Sequence, residues 1–145
     1  VTISLEQAQT VVAAALSHGT EQGLKPLTVA VLDPGGAIVA LARQDGSGYM
    51  RPDLAVAKAN GVLALGMTNR AIAARAADSP EFFTSVATLA GGKILSVPGG
   101  VFVQDTGGTL LGAVGVTGDL SLNDEAAAVA GIEAAGLVPV TGAED

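Results

Sequence analysis

Residues 28–41 read Thr-Val-Ala-Val-Leu-Asp-Pro-Gly-Gly-Ala-Ile-Val-Ala-Leu, and this stretch decides the fold. Two short apolar runs, Thr28 to Leu32 and Ile38 to Leu41, flank Asp33-Pro34-Gly35-Gly36. Aspartate can bond its own backbone a little further on, proline presets φ, and glycine permits the tight reversal. The spacing therefore predicts an antiparallel hairpin.

On its N-terminal side, Ser4-Leu5-Glu6-Gln7 has the form of a capping box. Leu5, Ala8, Val12, Ala15 and Leu16 then recur at helical spacing, with Gly19 or Gly23 as the stop. On the C-terminal side, Arg51-Pro52-Asp53 opens a helix that Gly66 ends, with proline in the first turn where its missing N–H does no harm. Thr68 caps a short helix through Ala77. Ser79-Pro80-Glu81 starts another, covering Phe82 to about Leu89, and Gly91-Gly92 breaks it. From Lys93 the pattern changes to strands at Ile94 to Val97, Val101 to Gln104 and Leu110 to Val116, separated by Pro98-Gly99-Gly100 and Asp105-Thr106-Gly107-Gly108. Ser121-Leu122-Asn123-Asp124 caps a last helix through Ala135, Gly136 follows as its C′ residue, and Leu137 to Asp145 reads as a tail. The expected architecture is one α+β domain over 1–145. It has a five-stranded antiparallel sheet flanked by helices, in the order α-ββ-ααα-βββ-α.

Composition narrows the function. Seven basic residues against fourteen acidic ones leave a net charge of −7, which repels a phosphate backbone and argues against nucleic acid as a partner. No apolar run reaches the roughly 18 residues of a bilayer span. The chain contains no cysteine, so it has no disulfide framework, thiolate metal site or thiol nucleophile. That suits the cytoplasm, while the start at Val1 rather than methionine leaves a trimmed, secreted mature form open. Alanine, valine, leucine and glycine supply most of the apolar content, and helices apolar on every side hint at oligomer contacts.

The helix from Asp53 to Gly66 is apolar nearly all round, as a helix buried on both sides would be. Lys58 shares the stripe of Leu54, Gly61 and Val62. An ammonium there must snorkel, pair with a carboxylate, or face a polar cavity. In the last case desolvation lowers its pKa and readies it as a base or nucleophile. Asp124 and Glu125 open the last helix, where carboxylates favour the dipole and Asp124 would complete a capping box; an acid–base role requires one of them beside Lys58. Pro98-Gly99-Gly100 is a hairpin turn that could present backbone N–H groups to an oxyanion. Gly112, Gly115 and Gly118 imply a bulge or a close neighbour within their strand. The single histidine, His18, sits at a helix C-terminus, and no metal site is expected. Tyr49, Met50 and Met67 are the remaining side chains that could reach a haem iron.

In order and spacing, Val31 to Gly36, Asp45-Gly46, Asp53 to Ala59, Val97 to Val101, Gly112 to Gly118 and Asn123-Asp124-Glu125 resemble the GlcG/HbpS-like family, also called the haem-degrading domain family. The resemblance covers about Ser4 to Gly136. It implies a compact domain similar to profilin-like folds, assembly into homo-oligomers, and binding of a small ligand, with haem or a related tetrapyrrole as the cofactor. By that resemblance Lys58, Pro98, Gly99, Gly100, Asp124 and Glu125 are pocket candidates. Read together with the chemistry of the residues, Lys58, Asp124 and Glu125 are the catalytic candidates, and Arg51 and Thr117 join Pro98, Gly99 and Gly100 as ligand-binding candidates. Family members often carry a polar or serine-containing stretch where this chain has Tyr49-Met50-Arg51-Pro52; here Arg51 could hold an anionic group or a haem propionate. Two further functions stay open. One is a cofactor-independent enzyme acting by acid–base chemistry on a small oxygenated or carbonyl metabolite, through Lys58 and Asp124 or Glu125. The other is a structural oligomeric subunit.

Overall fold

The hairpin at 28–41 forms as expected: β1 (Thr28–Leu32) pairs antiparallel with β2 (Ile38–Arg43). The computed structural model describes residues 1–144. Asp33 Oδ1 closes the turn by accepting from the N–H groups of Gly35 and Ala37, each at 2.9 Å. The second hairpin, β3 (Gly100–Gln104) to β4 (Leu110–Thr117), repeats the device: Asp105 Oδ1 accepts from Gly107 and Thr109 N–H, each at 2.9 Å.

The helices fall where the caps put them. α1 (Leu5–Glu21) opens on the full Ser4/Gln7 capping box. α2 (Arg51–Leu65) stops at Gly66, which takes a left-handed φ of 63°. α3 (Asn69–Asp78) is capped by Thr68, and α4 (Pro80–Leu89) follows directly. α5 spans Ser121–Ala134.

One strand lies elsewhere than the pattern suggested. Ile94 to Val97 forms no strand, and the fifth strand is β5 (Val138–Val140), within the stretch read as a tail. The hydrogen-bonded order is β2-β1-β4-β3-β5, all antiparallel. The physical reason is the position of Gly100. β3 begins there, between β4 and α2, so the preceding segment is carried off the sheet and β3's free edge is left for the chain emerging from α5. Thr141 to Glu144 is also tied down, with Glu144 accepting from the Thr141 hydroxyl at 2.6 Å. Asp145, the end of the supposed tail, lies outside the described residues.

The sheet is covered on both faces. Ala8, Val11 and Ala15 of α1 and Ala127, Ala128 and Ile132 of α5 pack on Val29, Val31, Val101, Val103, Val114 and Val116. On the opposite face Ala59 and Val62 of α2, Ile72 of α3 and Phe83 of α4 pack with Leu32 and Ala113. Small residues bring α2 down onto the strands. A Cβ on Gly115 would overlap the backbone of Ala55, so only glycine fits. Met67, considered above for a haem iron, packs against this second cluster.

Candidate functional site

The two hairpin turns occupy one end of the sheet, and at the other end the layers are joined by long-range side-chain contacts. Lys58, midway along α2, is buried (4% exposed). Its side chain passes Gly99, where a Cβ would stand 2.7 Å from both Lys58 Cδ and Nζ and 2.6 Å from Val116 O. Gly99 also has a φ of 130°, a conformation that suits glycine. Past it, Lys58 Nζ donates to Val116 O at 2.9 Å and to Asp124 Oδ2 at 3.1 Å. Asp124 belongs to α5, across the sheet, and is 1% exposed. The other oxygen, Oδ1, accepts from Asp119 N–H at 2.9 Å.

Burial sets the electrostatics of this pair. It pushes the Lys58 ammonium down and the Asp124 carboxyl up from their ordinary values, and mutual attraction opposes both shifts. Arg51 pushes Lys58 further down. The two groups therefore titrate as a coupled unit. An ammonium has three donors, and two are accounted for here.

Glu125 faces a different cation. Arg70 of α3 grips it in a bidentate pair, Nη2 to Oε1 at 2.6 Å and Nε to Oε2 at 3.1 Å. The first turn of α5 thus carries two adjacent carboxylates, each held by a cation from the opposite helical layer. The expected Ser121–Asp124 capping box is absent. Leu120 is the N-cap and makes no side-chain bond, while Asp119 binds Leu120 N–H and Asn123 Nδ2 at 2.8 Å each. Asp124 is free for Lys58 because Asp119 takes over the local bonding.

Arg51, at the start of α2, donates from Nη1 to Thr117 Oγ1 at 2.8 Å. Thr117 is buried at the end of β4, opposite Thr28 of β1. Thr28 shares a 2.8 Å bond with the Ser47 hydroxyl, and Ser47 O accepts from Arg43 at 2.6 Å. Among the described residues no carboxylate lies within salt-bridge distance of Arg51. Tyr49 (93% exposed) and Met50 (61%) stand immediately before it.

Pro98-Gly99-Gly100 is not a hairpin turn but the lead-in to β3. The N–H of Gly100, offered above to an oxyanion, is taken by the buried Asn69 Oδ1 at 2.6 Å. Gly99 O extends the ladder by accepting from Val116 N–H at 2.8 Å. The structure thus brings Lys58, Asp124, Gly99, Gly100, Thr117 and Arg51 to one end of the sheet, with Glu125 engaged separately by Arg70. Sequence reasoning missed Asn69 and Arg70. A polar pair in the first turn of a helix is ordinary, and nothing local marks either as a long-range partner. His18 lies on α1 beside Gln22, Leu24 and Asn123, around a surface hollow of about 400 Å³.

Fold and site together define an α+β domain with a glycine-lined, cation-bearing sheet end. A family described as "Haem degrading protein HbpS-like" matches residues 3–133, and the chain belongs to that family. A double mutant of Streptomyces reticuli HbpS shares 27% identity over 92% of this chain and 86% of its own, with a TM-score of 0.77. Klebsiella pneumoniae ORFY superposes with a TM-score of 0.83 at 23% identity, covering 94% of this chain and 92% of its own. A PduOC:haem complex does so with a TM-score of 0.80 at 20% identity over 94% and 97%. These last two likenesses are of fold. No curated protein matches the sequence.

Proposed function

We propose that this protein binds a small anionic ligand of the haem or tetrapyrrole type at the Arg51 end of the sheet. The observation carrying this reading is Arg51: a partly buried guanidinium, held by one nitrogen on a buried threonine, without a carboxylate partner among the described residues, in a chain of net charge −7. A guanidinium presents five donors in a fork suited to a carboxylate, and orienting it in advance lowers the entropy lost on binding. The family description supports haem as the ligand class.

The residues present suit that group. Arg51 would hold a propionate, and Tyr49 or Met50, beside it and open to solvent, offers a phenol or thioether of the kinds that ligate haem iron. When bound, haem would supply redox-active iron. Lys58 and Asp124 would set the charge of the sheet end next to Arg51, and the lack of cysteine suits a reducing cytoplasm.

Titration with haemin tests the reading. We expect a saturable, shifted Soret band, weakened roughly tenfold in affinity by Arg51→Ala, or about 1.4 kcal/mol. No saturable shift at micromolar haemin would overturn it. A second reading, acid–base catalysis on a small carbonyl compound, is favoured by the lowered Lys58 ammonium with one donor unassigned. It requires that a folded Lys58→Met protein lose all turnover.

A further inference from the structure

A row of polar side chains crosses three strands at the Arg51 end of the sheet. Thr28 of β1 stands directly opposite Arg43 of β2 on one side and Thr117 of β4 on the other. Directly opposed residues share a face, and the alternation along β1 puts Thr28 on the face of Leu32, under α2. Two such steps separate the Cα atoms of Arg43 and Thr117 by about 10 Å. Ser47, from the loop between β2 and α2, joins the row through its hydroxyl bond to Thr28. The hydroxyls of Thr28, Ser47 and Thr117 belong to buried residues, whereas Arg43 is exposed and Arg51 half-buried.

The row is built almost wholly of donors. Each guanidinium carries five N–H groups. Among the described residues Arg43 spends one on Ser47 O, and Arg51 spends one on Thr117 Oγ1. The bond between Thr28 and Ser47 uses the hydrogen of one hydroxyl and leaves that of the other. Asp45, two residues beyond Arg43, and Asp53, two beyond Arg51, form no salt bridge with either. Lys58 and Arg70, by contrast, each hold a carboxylate. The chain has fourteen acidic residues against seven basic ones, and among the described residues none is spent on this row.

Two guanidinium forks, anchored at separate points, call for two anionic groups on one molecule. A single carboxylate would fill one fork and leave the other open. A phosphate is a compact charge, and the two anchors are spread along the row. We propose that Arg43, Ser47 and Arg51 with the buried hydroxyls form a paired-carboxylate site, which takes a molecule bearing two carboxylates a few carbons apart. Arg43 is the residue that selects two carboxylates over one. This rests on the reading of Arg51 as an anion-binding residue and extends it to a second cation. The pair of carboxylates belongs either to the propionates of a tetrapyrrole or to a free dicarboxylate.

Calorimetric titration of the full chain with glutarate, which has two carboxylates, and butyrate, which has one, tests the proposal. Glutarate is expected to bind at least tenfold more tightly than butyrate. Arg43→Ala should abolish that preference, and Arg75→Ala, at an exposed position of α3, should keep it. If Arg43→Ala unfolds by circular dichroism, Arg43→Gln takes its place. Haemin and its dimethyl ester separate the sources. Displacement of glutarate by haemin but not by the ester assigns the site to propionates, and displacement by neither assigns it to a free dicarboxylate. No binding of glutarate, equal binding of the two acids, or a preference that survives in a folded Arg43 variant overturns the proposal. A Soret shift with haemin in any of those cases leaves the reading of Arg51 standing, so the two fail separately.

Discussion

The two ends of the sheet are closed by different physics. At the hairpin end, Asp33 and Asp105 each satisfy two backbone donors within four residues, so each turn is self-sufficient. At the opposite end, Lys58 and Asp124 stand 66 residues apart in sequence, and Arg70 and Glu125 stand 55 apart. Failure of one turn leaves its neighbour intact. At the far end Lys58, Gly99, Val116 and Asp124 share contacts, and removal of one strands the others. Local bonding yields robustness, and long-range bonding yields a coupled site where charge can be kept out of water.

The largest expected effect comes from breaking the buried pair. Lys58→Met should cost about 3–5 kcal/mol in chemical denaturation, because it leaves the Asp124 carboxyl buried without its cation. Adding Asp124→Leu should recover most of that loss, since two apolar groups make no demand for solvation. If the double variant is as unstable as the sum of the singles, the pair is not coupled as described.

At the hairpin end, Asp33→Ala and Asp105→Ala should each cost about 1 kcal/mol, and the two together should be additive. Strong non-additivity would remove the contrast between the ends.

The smallest effect sharpens the electrostatics. Asp119, bonded by Asn123 Nδ2 and the backbone N–H groups of Lys25 and Leu120, is held down to about 2 from an ordinary 3.8. Its contribution to stability is complete above 3.8 and is lost as pH falls through about 2. Asp124 has the opposite sign. Its carboxyl is raised by burial, so its contribution is greatest below 3.8 and declines as pH rises towards the raised value. Stability against pH for Asp119→Asn and Asp124→Asn should therefore depart from wild type in opposite directions across the acid range.

Much of this was legible in the amino-acid order. Ser4, Thr68, Gly66 and the two aspartate turns act on neighbours a few residues away, and each did what its type dictates. Lys58 stood out because no charged group belongs on an otherwise apolar helix, and Asp124 because of its place in the family pattern. Nothing local marked Asn69 or Arg70, whose partners come from distant segments. The misplaced strand has a similar origin. Val138-Pro139-Val140 is too short to carry an alternating pattern, and its proline speaks against a strand unless that strand is at an edge. Which residues follow a helix onto a free edge depends on where the preceding strands end, and that is tertiary information.

Tyr49 is the chain's single tyrosine, and tryptophan is absent. It stands almost wholly in solvent, two residues from Arg51. Excited beyond the absorption band of its three phenylalanines, the native molecule therefore emits from one phenol at the lip of the proposed binding end. An absorbing chromophore seated there would darken that emission, so occupancy could be followed by light without any label.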